Sequence, residues 1–416
     1  MRRRRRIRMA QSFVRTGWIV VAAGTGINLV LGFLYSWSVI KKVLVTQMHW
    51  SNFDASLPFT VAALGLAGMM IFAGRLQDVF GPRISATIGG ALFGLGIIMS
   101  AWVNSPLGMV LTYGVMGGIG LGFCYAAATP AAVKWFPPAK RGLITGIVVS
   151  GVGMASVYTA PLTNWLLKLY GLSNTFLYLG IAAFILMVGF AQFLKNPPTE
   201  SAPKPAGQAA SAPPSESAWK QTIQTPSFYK LWLMYGFSAS AGMMMISHLA
   251  TIAKTQAQWE NGFYLVALLA MFNTIGRIAA GHWSDSFGYT RTMLVVFCVQ
   301  ALNMLLFANY VTPTLLAVGT AFTGLSYGAL FSLFPAATAD YFGVKNLGVN
   351  YGMVFTAWGL AGVIGPLVAG WVVDTTGSYH YSYLFCAGLL VLAAGLSFFT
   401  AHPSKNTAAK GVAATE

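Results

Sequence analysis

Residues 74–83 read "GRLQDVFGPR", and residues 281–290 read "GHWSDSFGYT". The shared pattern G-x-x-x-D-x-F-G thus recurs after 207 residues, each copy following a long apolar run, in a chain of 416 residues. Two more echoes lie at nearly the same spacing. "VKWFPP" around Trp135 pairs with "TADYFG" around Tyr341, and "APL" at Pro161 pairs with "GPL" at Pro366, at offsets of 205 or 206 residues. Three echoes at one offset mark an internal duplication. In a chain that crosses a membrane many times, duplication predicts two pseudo-symmetric halves with a binding site between them near the bilayer midplane.

Composition supports the membrane reading. The chain is 56% hydrophobic and only 8% charged, against roughly 25% charged residues in soluble domains. Apolar runs long enough to cross about 30 Å of hydrocarbon as helices recur from end to end. Twelve are expected, near residues 17–40, 55–78, 84–103, 107–134, 142–167, 172–194, 228–250, 262–283, 291–309, 313–341, 347–373 and 380–401. The arginines of "MRRRRRIR" precede an apolar stretch that is too long for a signal peptide and lacks a small-residue cleavage pattern, so the first span is expected to stay uncleaved.

A net charge of +16 could suggest nucleic-acid binding, but the distribution argues for topology instead. With twelve spans, the N-terminal arginines, Arg83, Lys134, Lys140, Arg141, Lys195, Lys204, Lys220, Arg291, Lys345, Lys405 and Lys410 all fall on one side. Lys41, Lys42, Lys168 and Lys254 are the opposing minority. The bias puts both termini in the cytoplasm. Cys124, Cys298 and Cys386 all lie inside apolar runs, which predicts packing roles rather than a disulfide framework or a metal site.

Between the sixth and seventh runs the composition changes to "NPPTESAPKPAGQAASAPPSES", a Pro, Ala and Ser-rich tether. The expected organisation is therefore a six-helix bundle at 1–194, a cytoplasmic linker at 195–227, a second six-helix bundle at 228–402 and a tail at 403–416. The fold class is all-α, in two pseudo-symmetric bundles.

The 74–83 segment resembles the loop signature of the major facilitator superfamily, and twelve spans with a central linker agree with it over nearly the whole chain. More narrowly, "GFLYSWSV", "CYAAATPAAVKWFPPAKRG", "NTIGR" and "NYGMVF" look like the oxalate/formate antiporter family and its relatives, the monocarboxylate transporters. The resemblance implies alternating access by a multi-pass protein of the plasma (inner) membrane. It also implies that Arg277 binds an anionic substrate.

The residues independently single out Arg277, a guanidinium in the middle of an apolar run. It lies four residues after Asn273, on the same helix face, and eight before Asp285, roughly 12 Å of helical rise. It could snorkel to the surface. The duplication argues otherwise, because the matching position in the first half is Met70. In a water-filled cavity the guanidinium fork can hold a carboxylate by two hydrogen bonds, with Asn273 as a neutral donor beside it. The animal proton-linked carriers resembled here would carry an aspartate at position 273, so their usual proton carrier is absent.

Tyr35, Tyr125 and Tyr327 sit well inside apolar runs, where a hydroxyl needs a partner, and in the resembled fold their helices line the cavity. Tyr125 and Phe331 are related by the repeat and are expected to form two walls of one site, with Leu31, Phe331 and Phe355 as its apolar side. Where the oxalate exchanger would carry a second cation, this chain has Trp358. His248 ends the seventh span and is the candidate proton carrier, since histidine titrates between pH 5 and 8. Its alternative is a hydrogen-bonded packing residue. Gly74, Asp78, Gly81, Arg83 and Asp285 belong to the loop signature and are expected to hold a gate.

One fixed cation, a few hydroxyls and apolar walls match a short monocarboxylate such as lactate or pyruvate moved with a proton, with oxalate/formate-type exchange as the alternative. No nucleophile, metal cluster or carboxylate pair lies at depth, so an enzyme is not expected. No phosphate loop is present, which argues against an ATP-driven pump. No soluble signalling module is present for a receptor. The expected partners are the anion, a proton and the lipid bilayer, with no nucleic acid and no cofactor, for a monomer.

Overall fold

The computed structural model describes residues 2–51, 54–198, 218–259 and 262–400, and no strand occurs among them. Most of the expected linker and all of the expected tail lie outside these residues. The chain divides into two compact units, Met1–Ala206 and Gly207–Glu416.

The first unit opens with α1 (Arg2–Leu31), a 3₁₀ turn (Gly32–Ser36) and α2 (Trp37–Gln47). Then come α3 (Leu57–Phe80), α4 (Pro82–Ser100), α5 (Pro106–Met109) continuing through π turns (Val110–Gly117) into α6 (Gly118–Val133), and α7 (Arg141–Ala191). The α7 run is two helices that meet at Gly171, whose φ of 73° and ψ of −178° lie outside the helical range. In this unit α1 and α4 pack on α7, and α3 and α4 on α6.

The second unit holds α8 (Trp219–Thr222), α9 (Pro226–Ala257), α10 (Phe263–Phe287), α11 (Tyr289–Phe307), α12 (Pro313–Phe342), α13 (Leu347–Thr376) and α14 (His380–Phe398). Here α10 packs on α12, α9 on α13, and α11 on α14.

The sequence echoes correspond to matching backbone features. Gly81 ends α3 at φ 90° and Gly288 ends α10 at φ 82°, and their N–H groups close on Gln77 O at 3.0 Å and Ser284 O at 2.9 Å. The repeated glycine is a helix stop that a side chain would strain. Pro106 and Pro313 open α5 and α12, each preceded by a hydroxyl cap: Ser105 Oγ accepts from the Gly108 N–H at 3.2 Å, and Thr312 Oγ1 from the Leu315 N–H at 3.3 Å. From Pro106 to Pro130 the first unit runs two residues longer than from Pro313 to Pro335. The excess coincides with the π turns, whose wider i to i+5 winding takes up extra residues, whereas α12 is α-helical throughout.

Among the described residues, ten helical segments are long and apolar enough to cross a membrane. The sequence expectation of twelve differs from this count at two places. The segment Pro138–Ala191 counts once although it contains the Gly171 break, and α9 is not among the ten. The α9 helix is less apolar because its stretch "FSASAGMMMISH" holds three serines, a glycine and His248. Outward faces carry large apolar side chains, including Phe72 at 69% exposure and Trp371 at 68%. Such surfaces suit hydrocarbon, and a water-soluble monomer does not expose them on this scale.

Candidate functional site

The site in the second unit starts from a close helix crossing. A Cβ on Gly276 of α10 would overlap the Leu325 backbone of α12, and one on Gly328 of α12 would overlap the Asn273 backbone of α10. The two glycines let the helices touch. The crossing brings Arg277, next along α10, against Phe331, three residues beyond Gly328.

Arg277 is only 1% exposed, and it is the one cationic residue in the buried class among the described residues. Its Nε–H donates to Asn273 Oδ1 at 2.8 Å, the i to i+4 pairing expected from the sequence. With its oxygen facing the arginine, the NH2 end of the Asn273 amide is left to donate. The guanidinium carbon lies 4.2 Å from the centre of the Phe331 ring, a cation–π contact that holds the fork in one plane.

Around this pair stands an aromatic wall. Phe331 meets Tyr327 edge-on with centroids 5.2 Å apart, and Trp358 at 6.3 Å. Trp358 stacks on Phe355 at 5.0 Å, and its Nε1–H donates to the Tyr327 hydroxyl at 2.9 Å. The Tyr327 O–H in turn points at Met243 Sδ, 3.5 Å away. Behind Phe355 lies Tyr235, stacked on Phe334 at 4.2 Å and tilted 8°. Asn273, Arg277, Tyr327, Phe331, Phe355 and Trp358, all singled out from sequence, are thus brought into one cluster. Sequence reasoning missed Met243 and Gly242, both on α9. A Cβ on Gly242 would overlap the Tyr327 ring, so the glycine sets where that ring lies.

In the first unit, Leu31 ends α1 at 4% exposure and Tyr125 lies in α6 at 5%. Tyr35 falls in the 3₁₀ turn, and its side chain lies outside the described residues.

His248 on α9 is half-buried, with Nε2 3.1 Å from Pro366 O and Nδ1 3.1 Å from the Tyr379 hydroxyl. A carbonyl oxygen only accepts, so Nε2 carries the proton, and in the neutral ring the Tyr379 O–H donates to Nδ1. This geometry ties α9 to α13 and to the start of α14.

The loop signature has its own geometry. Asp78, with its side chain 1% exposed, pairs with Lys134 at 3.6 Å. The Arg83 Nε–H donates to Gln192 Oε1 at 2.7 Å, and Gln192 Nε2–H to Thr87 Oγ1 at 3.1 Å. Gly74 is buried in α3 and Asp285 half-buried in α10. Lys134 and Gln192 were not foreseen as partners, because they lie 56 and 109 residues from Asp78 and Arg83.

Two bundles of long apolar helices related by repeated helix stops, with one cation buried in an aromatic wall at a helix crossing, define a multi-pass membrane transporter. The chain matches the Major Facilitator Superfamily over residues 17–302 and 251–415. It belongs to that superfamily and is a transporter, not an enzyme. It is 27% identical over 379 residues to the oxalate:formate antiporter of Oxalobacter formigenes, covering 89% of this chain and 88% of that one. It is 25% identical over 396 residues to monocarboxylate transporter 10 of Danio rerio, covering 91% and 76%. Its fold is similar to that of the fucose:proton symporter FucP of E. coli, with a TM-score of 0.70 at 14% identity over 92% of this chain and 99% of that one.

Proposed function

We propose that the protein is a secondary active transporter of small organic anions, moving a monocarboxylate of the L-lactate and pyruvate class with a proton by alternating access. The observation that supports this best is the buried Arg277, fixed by Asn273 and Phe331 beside the apolar wall of Tyr327, Phe355 and Trp358. One fixed cation balances one carboxylate, and aromatic walls suit a short organic body. In this reading Leu31, Tyr35 and Tyr125 contribute from the first half. Gly74, Asp78, Gly81, Arg83 and Asp285 serve the gate.

The same reading takes the chain as twelve spans with both termini in the cytoplasm, as a monomer in the inner membrane. Its bundles are 1–194 and 228–402, joined by the linker 195–227 and followed by the tail 403–416. His248 enters it as a tie between helices, because both its ring nitrogens are hydrogen-bonded to neighbouring elements. The proton then travels on the substrate's own carboxyl group.

Exchange of oxalate/formate type is the second reading, favoured by the 27% identical relative of that name. Against it, a dianion facing Arg277 alone keeps one carboxylate unpaired in a low-dielectric site, which costs on the order of several kcal/mol. Uptake of labelled lactate, pyruvate, formate and oxalate into proteoliposomes, with and without an inward pH gradient, tests both. Symport is expected to respond to the gradient. Oxalate uptake that requires internal formate and ignores the gradient would establish exchange instead.

A further inference from the structure

Away from Arg277, the second unit carries a buried polar seam between α11 and α12 that the anion site does not use. Gln300 and Asn303 of α11 are 3% and 4% exposed, and Thr320 and Thr323 of α12 are fully buried. Asn303 Nδ2 donates to Gly319 O at 3.0 Å and to Thr323 Oγ1 at 3.1 Å, and Gln300 Nε2 donates to Thr323 Oγ1 at 3.2 Å. Because Gly319 O can only accept, the Asn303 amide is oriented with Oδ1 turned away from it. That oxygen, and the Thr320 hydroxyl, have no protein partner. In hydrocarbon such groups are costly unless something polar meets them.

The duplication provides an internal control. The positions matching Gln300 and Asn303 in α4, which like α11 is 19 residues long, are Phe93 and Gly96, and the matching stretch of the first unit, Thr112–Met116, carries no amide; its one hydroxyl on this side, Thr112, pairs with Ser100 at 2.9 Å. The helix packing therefore does not require amides here. One turn further along, a cavity of about 10 Å³ lies between the helices, lined by Ser238, Phe297, Gln300, Ser326, Tyr327 and Leu330 among others. That is room for about one water, and although the lining is mostly apolar, Ser238, Gln300, Ser326 and Tyr327 bring polar groups to it. The seam thus starts at Tyr327, in the wall of the anion site. It runs through Gln300, Thr323 and Asn303 to Gly319, against which the half-exposed Tyr310 packs at the end of α11. From Tyr327 to Thr312 along α12 the distance is about 22 Å of helical rise.

We propose that this seam holds buried water and is the route by which the coupled proton reaches the carboxylate at Arg277. The waters bridge Asn303 Oδ1, the Thr320 hydroxyl and the cavity beside Gln300 and Ser326. An excess proton hops along them and comes to rest on the substrate carboxylate, which leaves as the neutral acid. The inference rests on the proton-symport reading above. On the topology proposed there, the Tyr310 end faces away from the cytoplasm, the side from which a proton enters during uptake.

The test uses the full chain in proteoliposomes and two measurements. Hydroxyl-radical footprinting with X-ray pulses reads local water directly, and Phe297 and Leu330, although buried, are expected to be oxidised in the native protein and protected several-fold in Gln300→Leu. Net lactate uptake driven by a pH gradient is compared with exchange of labelled for unlabelled lactate, which needs no net proton delivery. Gln300→Leu, Asn303→Leu and the nearly isosteric Thr323→Val are expected to slow net uptake about tenfold while exchange stays within about twofold. Equal loss of uptake and exchange, unchanged uptake, or unlabelled Phe297 and Leu330 in the native protein each overturn the route. Native uptake indifferent to the pH gradient overturns the symport reading itself, whereas intact native coupling with unaffected variants overturns the seam alone.

Discussion

The indole N–H of Trp358 donates to the hydroxyl of Tyr327 across 2.9 Å, linking α13 to α12 directly behind the Phe331 ring that covers Arg277. On the reading proposed above, the bond fixes Trp358 at the place where the resemblance to the oxalate exchanger implies a second cation. An indole offers a ring face and one already committed donor, so the wall beside the guanidinium is apolar.

Trp358→Lys is therefore expected to weaken lactate binding and strengthen oxalate binding, because the new ammonium supplies the missing charge while removing the apolar wall. Trp358→Phe keeps the ring and loses only the hydrogen bond, about 1 kcal/mol, so it is expected to raise the KM for lactate a few-fold with little gain for oxalate. Competition of unlabelled oxalate against labelled lactate measures both. Native protein that binds oxalate as tightly as lactate would refute the charge argument.

Arg277→Lys is expected to lose most transport, about tenfold or more, with the protein still folded. Lysine keeps the charge but neither the planar stack on Phe331 nor the fork. Thermal unfolding in detergent checks the fold, and transport checks the site. Normal transport by Arg277→Ala would mean that the anion binds elsewhere.

The parts of the fold that were legible in the sequence are those encoded by local or repeated patterns. One eight-residue motif seen twice marked the duplication, though not the helix stops at Gly81 and Gly288 that it turns out to contain, and i, i+4 spacing put Arg277 and Asn273 on one face. What was not legible depends on helices far apart in the chain. Nothing about Gly242 announces that a tyrosine 85 residues later lies on it. Gln300 and Asn303 take their meaning only from Thr323 and Gly319 of the neighbouring helix, which nothing in their own stretch announces. Hydropathy also undercounts helices whose buried face is polar or small, which is why α9 escapes a composition test although it carries Gly242, Met243 and His248.

Gly242→Ala makes the first of these dependences measurable. The added methyl meets the Tyr327 ring, so the ring must move and the Trp358 bond must stretch or break. Overpacking of this kind costs about 1–3 kcal/mol. A lowered Tm together with a several-fold higher KM for lactate is expected. Unchanged KM would show that Tyr327 can shift without consequence for the anion.

His248 supplies the last prediction, since its two bonds allow it to be read either as a tie or as a proton carrier. Pro366 O accepts from Nε2 in either protonation state. The Tyr379 hydroxyl can donate to a neutral Nδ1 or accept from a protonated one, so this hydrogen bond is compatible with both forms of the ring. A carrier must give its proton up to the substrate, yet both ring nitrogens are occupied by helix-linking partners. His248→Gln is accordingly expected to lower the Tm, with the loss of about one hydrogen bond at roughly 1 kcal/mol, and to leave the pH dependence of lactate uptake in place. Lactate uptake between pH 5 and 8, measured beside thermal unfolding, separates the two roles. A flattened pH profile in a variant whose Tm is unchanged would make His248 the carrier.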